Sequence, residues 1–205
     1  MTTELKKPKY IGDAIRWGYI KRYLPKNEGG VLLDVGAGMC EYRELAESKG
    51  YSYVGIDINP NSPAIKGNAC DIPFESGTFD VILAIDCLEH IKNDEKAVSE
   101  MKRVLKNDGI IIIHSPNKAQ KHILIEEVEE QDDHVRKGYD PLDFYQLFYD
   151  CKKHNCYPTF DRFESMAWDL YYAINTGISI NPLNILDVNA WKEWNNYGWV
   201  CIIRK

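Results

Sequence analysis

The sequence predicts an α/β protein built on a doubly wound, mostly parallel sheet, and three stretches carry that prediction. Residues 31–35 are apolar at four of five positions, bend at Gly36-Ala37-Gly38, and lead into the helix formers of 41–49, which stop at Gly50. Residues 53–57 form a second short strand pattern that ends in an acid, Asp57. Residues 79–85 are almost wholly apolar, the mark of a strand buried on both faces. A strand, a glycine turn, a helix and a further strand in succession open a nucleotide-binding unit.

In chain order, residues 9–24 place Ile11, Ala14, Ile15, Gly18, Tyr19 and Tyr23 at helical spacing, and Pro25 ends them. This N-terminal helix packs on the sheet, and its Arg16 is a candidate for reaching a substrate. At the first turn, Gly36 and Gly38 remove side chains where a ligand approaches the backbone, and the following helix points its free N–H groups there. Asp57 follows Gly36 by 21 residues, a spacing that lets a carboxylate grip ribose hydroxyls across the sheet. These features suit a nicotinamide-dependent oxidoreductase and a methyltransferase alike.

Pro60 and Pro63 with Asn59 and Asn61 exclude a long helix after Asp57, so a short third strand is expected at 64–67 and a loop at 68–74. Strand four, 79–85, runs into Asp86-Cys87-Leu88-Glu89-His90-Ile91. Asn93 or Asp94 caps a helix with the stripe Ala97, Val98, Met101, Val104 and Leu105. Residues 107–109 turn the chain into strand five at 110–114. Residues 118–140 carry an acidic run at 126–133 followed by His134, Arg136 and Tyr139, and form a candidate lid. A helix at 141–153, a sixth strand at 157–163, an aromatic-rich insertion at 165–196 and a last strand at 197–203 complete the chain. The order of these last pieces suggests an antiparallel addition at the sheet edge.

Composition narrows the field. The 205 residues, 44% of them hydrophobic, suffice for one domain with a full core. No apolar run approaches the roughly 20 residues of a membrane span, and residues 1–8 lack the apolar core of a signal peptide. A soluble, cytoplasmic protein is expected. The net charge of −6 argues against a broad nucleic-acid footprint. The six cysteines are scattered and read as free thiols in a reducing compartment. Cys151, Cys156 and His154 offer three metal ligands at most, and no metal is expected.

Five motifs in order resemble the class I S-adenosylmethionine-dependent methyltransferases, in their small-molecule branch. They are Leu33-Asp34-Val35-Gly36-Ala37-Gly38; Gly55-Ile56-Asp57; Asp71-Ile72-Pro73-Phe74; Phe79-Asp80-Val81-Ile82 with Leu88-Glu89-His90-Ile91; and Leu105-Lys106-Asn107-Asp108-Gly109. The resemblance is close over 30–116 and looser over 117–205. It implies a Rossmann-like seven-stranded sheet in the order 3-2-1-4-5-7-6 with the seventh strand antiparallel, and one domain over 1–205. Within it, 29–116 is the cofactor-binding half and 117–205 the substrate-side half.

S-adenosylmethionine is the cofactor so implied. Asp34 would contact its amino group, and the backbone of Gly36, Ala37 and Gly38 would line the methionine part. Asp57 would hold the ribose, Asp71 the adenine amino group, and the Ile72 amide the adenine ring. Asp86, Cys87 and Leu88 would wall the sulfonium, and Cys40, Tyr42, Ile58 and Asn59 complete the set. Two departures stand out: Cys40 replaces the third glycine, and only 14 residues separate Asp57 from Asp71. Methyl transfer from a sulfonium is a displacement in which positioning in line does most of the work. Where a base near neutral pH is needed, His90 and His134 are the candidates, with Arg16, Arg136 and Tyr139 facing a small-molecule acceptor. The motifs carry no choice among O-, N- and C-methylation and no oligomeric state. The alternatives are the oxidoreductase and a non-catalytic protein that keeps the fold.

Overall fold

Successive residues of a strand face opposite sides of a sheet, and the central strands are apolar at both parities. Leu33, Val35, Ile82, Ala84, Ile111 and Ile113 therefore meet one helical layer, while Leu32, Val81, Leu83, Ile110 and Ile112 meet another. The computed structural model describes residues 11–120, 134–160, 162–176 and 197–205. Its elements are α1 (Ile11–Tyr23), β1 (Gly30–Val35), α2 (Arg43–Ser48), β2 (Tyr51–Asp57), β3 (Ile65–Lys66), β4 (Phe79–Ile85), a 3₁₀ turn (Leu88–His90), α3 (Asp94–Val104), β5 (Leu105–Pro116), α4 (Pro141–Leu147), β6 (Lys153–Thr159), α5 (Arg162–Thr176) and β7 (Gly198–Arg204).

The strands pair in the order β3-β2-β1-β4-β5-β7-β6. The pairings up to β5 are parallel, and β7 lies antiparallel to both β5 and β6. This is the Rossmann-like order that the motifs implied. The first apolar layer packs on α3 through Ala97, Val98, Met101 and Val104, and on Phe144 and Phe148 of the α4 region. The second packs on Ile20 and Leu24 of the α1 segment and on Leu45 and Ala46 of α2. Each large aliphatic side chain so buried contributes roughly 1.5–3 kcal/mol.

Local chemistry sets the helix starts. The Asn93 side chain accepts the Lys96 N–H at 3.0 Å. Asp140 accepts from Leu142 and Asp143 while Asp143 accepts the Asp140 N–H, a capping box with Pro141 in the first turn.

Three expectations are corrected. The helix begun at Pro141 stops at Leu147, not at 153, and the sixth strand lies at Lys153–Thr159 rather than 157–163. The ladder with β7, from Lys153 opposite Arg204 to Thr159 opposite Gly198, recruits those residues, and Phe160 ends it at φ 57°. The reading of six free thiols fails at Cys156 and Cys201. These stand opposite each other in that ladder, 4.1 Å apart between Cα atoms, and form a disulfide. Cys156 is therefore not available beside Cys151 and His154 as a metal ligand. The acidic run at 126–133 and residues 177–196 of the insertion lie outside the described residues. No helix among the described residues is long and apolar enough to cross a membrane.

Candidate functional site

Parallel strands of an open sheet end in a crevice where the strand order reverses, here between β1 and β4. Three residues of the turn after β1 have left-handed backbone: Gly36 (φ 72°), Gly38 (φ 50°) and Cys40 (φ 59°). The position where a third glycine was missed is thus a genuine left-handed site, filled here by a buried cysteine. Gly36 is also a close approach: a Cβ there would meet the Cys87 Sγ at 2.6 Å. The Gly36 and Ala37 N–H groups donate to the Ile56 carbonyl at 2.9 and 3.0 Å, tying the turn to the end of β2.

Asp57 completes that tie. Its Oδ2 accepts the Gly38 N–H and its Oδ1 the Asn59 N–H, each at 2.7 Å. Two fixed amides orient the carboxylate, and each oxygen keeps a second lone pair for a hydroxyl. A cleft of about 780 Å³ opens here. Its walls include Gly36, Asp57, Ile58, Asn59, Asp86 and Cys87, all singled out from the sequence, and His90. Ile58, 71% exposed, offers an apolar face on this wall.

Asp34 stands behind the turn, 1% exposed, where its Oδ2 accepts the Tyr53 hydroxyl at 2.7 Å. Burial pushes its pKa up to about 7; the Tyr53 bond opposes this, and Asp57 and Glu41 add to it. Tyr42, at the N-cap of α2, has its phenol pushed up by burial and lies within electrostatic reach of Arg16, Asp86 and Asp34.

Asp86, at φ 47° between β4 and the 3₁₀ turn, lines the cleft from the other side. Its carboxylate meets Arg16 Nε at 3.0 Å and His114 Nδ1 at 2.5 Å. Burial opposes ionisation, but the Arg16 guanidinium and then His114 outweigh it and hold the carboxyl well below the usual range. His114 Nε2 in turn meets Thr159 Oγ1 at 2.9 Å. His114 escaped the sequence reading; its signal was a lone polar residue closing an apolar strand at the sheet edge that faces the cleft. The Cys87 thiol is pushed up by burial.

Other residues expected at the site have surroundings of their own. Asp71 is exposed and lies off the cleft walls; Asn68, Ala69 and Cys70 stand there instead. Asn68 folds that loop by accepting the Cys70 N–H on Oδ1 and the Asp71 N–H on its carbonyl, each at 2.9 Å. The Ile72 amide has no donor left for a ring, because it is buried and donates to Glu100 Oε2 at 3.0 Å. Leu88 is fully buried in the core. Arg136 and Tyr139 both engage Asp94, a buried carboxylate that needs partners. Arg136 Nη1 lies 2.9 Å from Asp94 Oδ2, and the Tyr139 hydroxyl donates to the same oxygen at 2.9 Å. Arg16 holds Asp86 and Asp13.

The two histidines considered as bases do come together. The His90 and His134 rings stack edge to face with centroids 4.4 Å apart. Val135 and Arg136 donate N–H groups to the Glu89 carbonyl at 2.9 and 3.3 Å, docking the His134 segment on the 3₁₀ turn.

Comparison with known proteins agrees with the fold. The family described as "Methyltransferase domain" matches residues 33–113. Norajmaline N-methyltransferase from Rauvolfia serpentina is 31% identical over 130 residues, covering 52% of this chain and 42% of the relative. The chain spans about two fifths of the length of the curated relatives it first matches. Among solved structures, a SAM-dependent methyltransferase from Archaeoglobus fulgidus superposes with a TM-score of 0.67 at 16% identity, covering 93% of each chain. Phosphoethanolamine N-methyltransferase 2 from Haemonchus contortus, in complex with S-adenosyl-L-methionine, gives 0.64 at 18% identity, covering 91% of this chain and 51% of the other.

Proposed function

Because the chain belongs to the class I S-adenosylmethionine-dependent methyltransferases, we propose that it is an enzyme that moves a methyl group from S-adenosylmethionine to a small-molecule acceptor. The observation that carries this reading is the placement of Asp57, fixed by the Gly38 and Asn59 amides on the wall of the cleft. A carboxylate so oriented suits paired ribose hydroxyls. Ile58 and the Asn68–Ala69–Cys70 wall suit the flat adenine ring, and the glycine turn, which reaches the cleft wall at Gly36, suits the amino-acid end. The cofactor supplies a methyl group that is already activated, so the protein's task is to hold and align. Asp86 lines the same cleft from the end of β4, its carboxylate fixed by Arg16 and His114.

Calorimetric titration tests this. S-adenosylhomocysteine is expected to bind in the micromolar range, NADH is not, and Asp57→Ala is expected to remove the heat. Binding of NADH with no response to S-adenosylhomocysteine would return the oxidoreductase reading.

A further inference from the structure

Beside the cleft lies a cluster that cofactor binding leaves unused. One donor atom each from Glu89, His90 and His134 lies within 4.8 Å of the others. Glu89 is fully buried; its Oε2 accepts the Ser115 hydroxyl at 3.1 Å, while Oε1 is buried with no hydrogen-bond partner among the described residues. An orphaned buried carboxylate oxygen is costly and calls for an explanation. His90 is exposed and lines the cleft, and His134 is half-buried and anchored through its neighbours' amides to the Glu89 carbonyl.

We propose that Glu89, His90 and His134 form a binding site for a divalent transition-metal ion at the edge of the cleft. A cation there gives Glu89 Oε1 its missing partner. Two imidazoles and one carboxylate select first-row ions such as zinc, manganese or iron over magnesium or calcium, whose ligands are oxygens. Ligands on one ion stand about 3 Å apart, given bonds of about 2.0–2.2 Å. The two histidine rings, on an exposed turn and a half-buried segment, close the remaining gap by rotating.

Three protein ligands leave positions open, the pattern of a site that takes substrate rather than one that only braces a fold. Because His90 also lines the cleft, those positions lie next to it. Resting on the methyltransferase reading, the site selects an acceptor that presents an oxygen donor, a hydroxyl or a carboxylate, to the metal.

The test uses the full chain, stripped with chelator and dialysed. It is titrated calorimetrically with zinc and then manganese chloride, with bound metal counted by elemental analysis. One equivalent is expected, with affinity at least about tenfold weaker in Glu89→Gln, His90→Ala and His134→Ala and unchanged in His154→Ala. His134 is half-buried, so its variant decides the matter if the Glu89 variant fails to fold. No saturable binding, or equal binding by wild type and His134→Ala, overturns the site. S-adenosylhomocysteine is titrated into the same samples. Its binding without metal binding sinks the site alone. Metal binding without its binding keeps the site and removes the link to methyl transfer.

Discussion

Gly36→Ala tests the geometry of the site most directly, because two separate costs meet at one atom. The backbone at φ 72° is left-handed, which costs a residue with a Cβ about 1–2 kcal/mol. The new methyl would lie 2.6 Å from Cys87 Sγ and 3.0 Å from Cys87 Cβ, and relieving such overpacking costs about 1–3 kcal/mol more. Loss of glycine's freedom in the unfolded chain returns about 0.4–1 kcal/mol. The net expectation is a destabilisation of about 2–4 kcal/mol, or roughly 9 °C in Tm at the middle of that range. The two costs separate in a double-mutant cycle. Cys87→Ala removes the Sγ and leaves the backbone strain, so the double variant is expected to recover about 1–2 kcal/mol relative to additivity. Urea unfolding of the four proteins supplies the numbers. A Gly36→Ala change within 0.5 kcal/mol of wild type, or additive variants, would refute the close approach between the two strand ends.

Asp57→Asn places an amide NH₂ where one backbone N–H now donates, so S-adenosylhomocysteine affinity is expected to fall about 10- to 100-fold; an unchanged dissociation constant would contradict the role of the carboxylate. Asp34 holds its proton in the folded protein up to about pH 7, against an unfolded value near 3.8. The folded state therefore binds more protons across that window, and stability falls as pH rises from about 4 to 7. Asp34→Asn is expected to flatten the slope between pH 5 and 7, read from urea midpoints, and the same slope in both proteins would refute it. Reduction of the Cys156–Cys201 bond, which closes a separation of 45 residues, is expected to cost up to about 4 kcal/mol. Alkylation and intact mass would show whether four thiols or six are free. Arg16→Ala leaves the half-buried Asp86 without its cation and is expected to cost about 1–3 kcal/mol, less than for a fully buried pair, with Arg16→Lys intermediate in thermal melts.

The sheet was legible because its centre is dictated by composition. Strands β1, β4 and β5 are apolar on both faces and could only be buried, and glycine with aspartate marks their ends. The edge strand β6 was displaced because nothing local announces it. Lys153, His154, Asn155 and Pro158 have no apolar alternation, and only Thr159 of the strand is buried. Its existence rests on the ladder that β7 offers. Proline is tolerated there because β6 closes the sheet and needs partners on one side only. The disulfide was hidden for the same reason: only that register brings Cys156 and Cys201 together.

The site divides along the same line. Gly36, Gly38 and Asp57 were readable because their task is set by the backbone, and a left-handed turn or a strand-end acid leaves its signature in consecutive residues. The adenine side is harder to read, because two short polar residues share one loop. Asp71 is the stronger acceptor in isolation, yet the loop spends Asn68 on its own amides and thereby sets Asn68 to Cys70 on the wall. The string from Arg16 through Asp86 and His114 to Thr159 joins α1, the end of β4, β5 and β6, and no window of sequence contains it. Such a string explains why Asp86 can stay ionised beside an apolar core. Its charge is compensated by residues 70 positions before it and 28 after it, and either partner's loss would leave the cleft wall with a carboxylate that the fold no longer balances.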